Sequence, residues 1–178
     1  MTSGKPKKIT SRRNIEIIVN SCYLDEEIFR GSLPDIFQKA LSYIMGHLLK
    51  LQGNKSVNSI GDPEVPRLVF EELLVNALIH RNYFIGAPTR VFVFDDRIEI
   101  INPGNFPDHL TLEKICAKNS IPRNPALTPI VKALLPNRGS GRGIKRALKA
   151  WSQIKFIDDR KARLFTAVIQ RPDLTLLR

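Results

Sequence analysis

The chain has 178 residues, 43% of them hydrophobic, and a formal net charge of +11 at pH 7. That length fits one compact domain, and that apolar content excludes a disordered basic tail. No apolar run approaches the roughly 18 to 20 residues that cross a bilayer, and the basic start MTSGKPKKITSRR leads into no apolar signal core, so the expectation is a cytoplasmic protein without a membrane partner.

Taken in chain order, residues 1–30 read as tail and linker: a basic start, then IEIIVN, then the acidic LDEE. The folded domain is expected over residues 31–178. A first helix begins at Ser32, with Pro34 in its first turn and Asp35 placed to complete a capping box. Phe37, Leu41, Ile44, Leu48 and Leu51 recur at helical spacing and form one apolar stripe. Gly53 to Gly61 is polar and reads as a loop. A second helix starts near Pro66 and runs through RLVFEELLVNALIHRNY, until Gly86 and Pro88 break the chain.

The period then changes from helical to extended. TRVFVF and RIEII flank Asp95-Asp96 and read as a hairpin. NPGNFP is a loop, and short helices are expected at 111–118 and 127–135. The run GSGRG (139–143) opens a helix, IKRALKAW. QIKFIDD and ARLFTAVIQ read as a second hairpin, with Trp151 and Phe156 in the core. The order predicts an α+β two-layer sandwich, with helices on one face of a mixed sheet. Cys22 and Cys116 form no CxxC pair; two free thiols are the simplest account, with one disulfide as the alternative.

Three segments carry candidate chemistry. Glu72, Asn76 and His80 are spaced four apart and stack along one helix edge. A carboxylate there orients a water as general base, and an amide oxygen ligates a hard cation such as Mg²⁺. The same spacing also suits an ordinary amphipathic helix with a polar outer face. Asn102-Pro103-Gly104 ends a strand in a turn that lets a flat ligand approach, and the Asn102 amide matches an adenine edge. A plain hairpin exit is the alternative. Gly139, Gly141 and Gly143 with Arg142 precede a helix bearing Lys145 and Arg146, which makes an anion site or a simple flexible turn. The run is not a Walker A motif, because GxxxxGK[ST] is absent.

As an ordered set, these segments resemble the three boxes of the Bergerat-fold ATPases: ExxxN on a helix, DxG at a strand end, and a glycine-rich GxGxG opening a helix. The closer resemblance is to the C-terminal domain of RecG-related and Schlafen-like regulators. It is carried by ELLVNALIHRNY (72–83), DDRIEIINPG (95–104), SIPRNP (120–125) and RGSGRGI (138–144), within about residues 31–171. The resemblance implies a histidine-kinase-like ATPase fold that binds ATP and Mg²⁺. Glu72 would position or deprotonate the attacking water, and Asn76 would hold Mg²⁺. Asn102 and Gly104 would face adenine. Gly139, Gly141 and Gly143 would wrap the phosphates, with Arg142 and Lys145 beside them. His80 and Arg81 are characteristic of the closer group, Arg81 reaching phosphate or capping helix carbonyls. Arg123 would belong to a lid or lie on the surface. Asn102 departs from the carboxylate usual in the wider superfamily; an amide accepts without the charge and also donates.

Charge adds a second partner class. Residues 114–178 hold 15 of the 28 Lys+Arg and three acids, so the whole positive excess lies in the last third. Such a field attracts nucleotide or DNA phosphates. Three functions follow as expectations. One is an ATP-binding regulatory domain, with or without slow hydrolysis, of a RecG-related DNA-associated protein or transcriptional regulator. The second is a degenerate Bergerat fold acting as an interaction or homodimerisation module. The third is a DNA-binding domain using the basic third. A helicase motor is not expected, since the chain has neither a P-loop nor room for two motor lobes.

Overall fold

A computed structural model describes residues 15–21, 26–51, 61–105, 123–127, 129–130, 133 and 142–173. Eight strands and three helices organise them. The strands are β1 (Ile15–Ser21), β2 (Glu26–Gly31), β3 (Lys50–Leu51), β4 (Asp62–Pro63), β5 (Thr89–Val93), β6 (Arg97–Pro103), β7 (Ile154–Asp159) and β8 (Leu164–Gln170). The helices are α1 (Leu33–Gly46), α2 (Arg67–His80) and α3 (Gly143–Ala150). Six strands form one mixed sheet in the order β2-β1-β5-β6-β8-β7, and β3 and β4 pair separately. This is the expected α+β architecture.

The expected linker at 1–30 does not hold over residues 15–21 and 26–30, which are strands. Ile15–Ser21 lies between β2 and β5, with Val19 aligned to Val91, and Ile17 and Val19 are fully buried. IEIIVN alternates, as a half-buried strand requires, but it is short and flanked by charge. Its pairing with β5 is parallel, so the chain must cross over between them; α1, the small β3–β4 ladder and α2 form that crossover.

α1 forms where its cap and apolar spacing agree. Ser32 is extended (φ −71°, ψ 153°); its Oγ accepts from the Asp35 amide at 3.4 Å and donates to Asp35 Oδ2 at 2.5 Å. Leu33, Ile36, Phe37, Ala40, Leu41 and Ile44 bury one face. The helix ends at His47, whose amide bonds to the Tyr43 and Ile44 carbonyls and whose ring stacks on Tyr43 at 4.2 Å. Leu48 is buried beyond the helix, whereas Leu51 falls in β3 and is exposed. Of the expected loop at 53–61, residues 53–60 lie outside the described set, as does the helix expected at 111–118. Within 127–135 only Leu127, at the end of a single 3-10 turn (Pro125–Leu127), residues 129–130 and residue 133 are described. Cys22 and Cys116 also lie outside.

α2 is apolar nearly all round, burying Val69, Phe70, Leu73, Leu74, Val75, Ala77 and Leu78. A helix of that kind belongs inside, and α2 lies between α1, α3 and β6. The inward face of the sheet supplies Ile17, Val19, Val91, Val93, Ile98, Ile100, Ala167 and Ile169 to the same core. Their alternation with exposed or half-buried neighbours such as Arg90 and Glu99 is the period of two expected of a sheet covered on one side. Trp151 and Phe156 pack against this core; the Trp151 indole donates to the Gln170 carbonyl at 2.9 Å.

Candidate functional site

The polar edge of α2 does not face solvent. Glu72 is only 3% exposed, and Asn76 and His80, one and two turns on, are half-buried. α3 covers this edge. Arg146 donates from Nε to Glu72 Oε1 at 2.7 Å and from Nη2 to Oε2 at 3.0 Å, a bidentate pair of the strong, geometry-specific kind. Directly above, the first residue of α3 is Gly143. A Cβ added there would stand 2.8 Å from Glu72 Oε2, closer than a side chain tolerates. A glycine there lets the start of α3 approach the carboxylate without displacing it. The acidic end of the first segment and the last glycine of the third meet in space.

Arg142 and Lys145 lie at this same helix start, both exposed. With Lys149 they sit at positions i, i+3 and i+7, one face of the helix. None of the three forms an ion pair with a described residue. Gly139 and Gly141 lie outside the described residues.

The second segment builds the other end. Asn102 is on the inward side of β6, 3% exposed, and its Oδ1 accepts from the Thr89 hydroxyl at 2.9 Å. Gly104 follows with φ +109°, a conformation that favours glycine, and its amide bonds to the Arg163 carbonyl. A Cβ at Gly104 would collide with Arg123 Nη1 and lie 2.9 Å from Asn82 Cβ. Arg123 also donates to the Asn105 carbonyl at 2.5 Å. The turn is thus packed from both sides.

The HRNY stretch ties these parts together. The Asn82 amide bonds to the Pro103 carbonyl at 2.8 Å. Asn124 donates to the Ile79 and Arg81 carbonyls at 2.7 and 2.8 Å, capping the end of α2 from a distant segment. Arg81 is buried; it donates to the Ala87 carbonyl at 2.7 Å and lies 4.9 Å from the centre of the Tyr83 ring. It therefore holds the 82–88 turn rather than the last carbonyls of α2. Tyr83 donates to the Leu78 carbonyl. Burial, with the positive Arg123 nearby, pulls the His80 imidazole down to about 4, so it is neutral at physiological pH. Burial likewise lowers Arg81 and raises Tyr83.

Two residues of the site were not singled out from sequence, Thr89 and Asn124, and Arg146 was expected only as a cation beside Lys145, not as the partner of Glu72. Arg146 carried a signal, because it lies one turn from Gly143 and so shares its face of α3. Thr89 and Asn124 carried none, since their partners are remote in the chain.

The fold and these converging segments define a class, an α+β domain of ATPase-like architecture. Residues 86–164 match the family described as "Putative ATP-dependent DNA helicase recG C-terminal", and over that stretch the chain is similar to an ATPase-like, RecG-related domain. Among solved structures it is similar to the DIP2311 protein from Corynebacterium diphtheriae, with a TM-score of 0.70 and 23% identity over 93% of this chain. The chain spans 36% of that protein's length, and at this identity the likeness shows the fold. The curated proteins contain no match. No helix among the described residues is long and apolar enough to cross a membrane.

Proposed function

We propose that this domain binds a nucleoside triphosphate, ATP, together with Mg²⁺, and acts as a regulatory switch within a cytoplasmic DNA-associated protein. The observation that carries this reading is the packing of Glu72 against Gly143, because it joins an acid–amide helix edge to the start of a basic helix. Asn76 would ligate Mg²⁺, and the Gly143 end of α3 with Arg142 and Lys145 would hold phosphate. Asn102, Gly104 and His80 would border the base. No three His, Cys, Asp or Glu side chains cluster among the described residues. That donor set suits Mg²⁺, which usually takes one or two protein ligands and completes its shell with water and phosphate. When bound, Mg²⁺ supplies charge neutralisation of the phosphates.

Without nucleotide both Glu72 oxygens are engaged by Arg146, and a general base needs one of them for water, so hydrolysis requires this pair to open first. A second reading, a partner-binding or dimerisation module without nucleotide, is favoured by the same internal satisfaction: Glu72 by Arg146 and Asn102 by Thr89. The exposed Arg142–Lys145–Lys149 face supports an added contact with DNA phosphates.

A thermal-shift titration with ATP, ADP and GTP, with and without Mg²⁺, separates the two readings. ATP at 100 times its Kd raises stability by about 2.7 kcal/mol, and Asn76→Ala removes the Mg²⁺-dependent part. No stabilisation at millimolar ATP overturns the nucleotide reading and leaves the interaction module.

A further inference from the structure

We propose that Arg146 is a triphosphate-sensing residue with two competing partners: the Glu72 carboxylate, and the terminal phosphate of a bound nucleoside triphosphate. The inference rests on the nucleotide reading of this site and adds to it the residue that tells a triphosphate from a diphosphate.

The geometry points to Arg146 rather than its neighbours. Its guanidinium bridges two helices, and its side chain is 29% exposed where that of Glu72 is 3% exposed. It reaches the carboxylate from the open side of the pair. A planar guanidinium fork fits a phosphate as well as a carboxylate, so exchanging one for the other keeps two charge-assisted hydrogen bonds. A lysine has the charge without the fork.

The local charge balance supports the exchange. α3 and its cap carry Arg142, Lys145, Arg146 and Lys149 with no acidic residue of their own, and Glu72 is the carboxylate that meets Arg146. A polyanion at the Gly143 end is attracted by this whole face, whereas Glu72 offers a single charge. Arg146 lies in the first turn of α3, within reach of a group placed at the Gly143 amide end. When Arg146 turns to phosphate, both Glu72 oxygens are freed beside Asn76, one turn further along α2. Recognition of the third phosphate and release of the carboxylate are then one event. A diphosphate, ending one group short, leaves the Glu72–Arg146 pair in place.

The test is the affinity of the full chain for a non-hydrolysable ATP analogue and for ADP, both with Mg²⁺, measured by calorimetry. The wild-type protein is expected to prefer the analogue by roughly tenfold, or about 1.4 kcal/mol. Arg146→Lys reduces that preference to about threefold or less, while ADP affinity stays within the same margin. Glu72→Gln removes the competing charge and tightens the analogue by roughly tenfold with little change for ADP. The double variant Glu72→Gln/Arg146→Gln leaves no uncompensated buried charge, so it keeps the fold measurable, and it shows no preference. Retention of the wild-type preference in Arg146→Lys or in the double variant overturns the proposal, as does weaker analogue binding in Glu72→Gln. Absence of binding by both nucleotides to the wild-type chain is a different result, and it overturns the nucleotide reading itself.

Discussion

Arg171 Nη2 lies 2.6 Å from Glu64 Oε1, with the Glu64 side chain sealed from solvent and that of Arg171 nearly so. The pair fastens the residue after β8 to the segment entering α2. Arg171 also holds the Phe94 carbonyl through Nη1 and the Asp96 carbonyl through its amide, and Glu64 Oε1 accepts from the Leu49 amide. Among the described residues Glu64 Oε2 and Arg171 Nε find no partner, so within that set the pair is incompletely satisfied. Removing one member strands a buried charge, whereas removing both does not. Glu64→Ala is expected to cost about 3–5 kcal/mol in urea unfolding. Glu64→Met/Arg171→Met is expected to cost clearly less than that single substitution, and an equal or larger loss would refute this account.

The first turn of α1 makes a smaller and cleaner claim. The Ser32 hydroxyl accepts from the Asp35 amide, which would otherwise lack a partner, and donates to the Asp35 carboxylate. Ser32→Ala is expected to lower stability by about 1 kcal/mol, and Ser32→Asn by much less. Equal losses in the two variants would show that the cap contributes nothing.

Gly143 tests the junction of α2 and α3. Alanine is the better helix former by up to about 1 kcal/mol, but its Cβ would meet Glu72 Oε2 at 2.8 Å. The carboxylate cannot swing away cheaply while Arg146 holds both its oxygens. Overpacking should therefore win, and Gly143→Ala should destabilise by about 1–3 kcal/mol. In a Glu72→Ala background the obstacle is gone and the same change should be neutral or stabilising. A double-mutant cycle measures the coupling; additivity would show that the two residues do not press on one another.

His80 gives the domain a pH dependence of definite sign. Its imidazole is held near 4 by burial and by Arg123, against 6.5 when unfolded. The unfolded chain therefore binds the extra proton between these values. The stability contributed by neutral His80 is fully present above pH 6.5 and is lost as the pH falls toward 4. His80→Gln should flatten the pH–stability curve over that window. NMR titration of the wild-type ring should show no protonation near pH 6.5; a midpoint there would remove the effect.

Much of the architecture was legible because it is written in local periods. Ser32 and the apolar spacing after it locate α1, the long apolar run after Pro66 locates α2, and alternating Val, Ile and Phe around Asp95-Asp96 locate the β5–β6 hairpin, closed by the Phe94 amide on the Arg97 carbonyl. IEIIVN was harder. Its strand period is present, but only its pairing with β5, some seventy residues away, makes it a central strand rather than part of a linker. The polar edge Glu72–Asn76–His80 was legible as a spacing, while its burial was not. A lone helix has a polar side; whether that side meets water depends on what packs over it.

From its sequence alone, this chain declares where helices and strands start and stop, which residues cap them, and which short polar segments are candidates for chemistry, because each of those depends on neighbours within a few positions. The folded chain decides the partners of the charges. Glu72 and Arg146 are 74 residues apart, and Asn124 caps carbonyls more than 40 residues away. Such pairings arise only when separate elements exclude water between them, and a buried charge or carbonyl then needs whichever complementary group the packing has brought within reach.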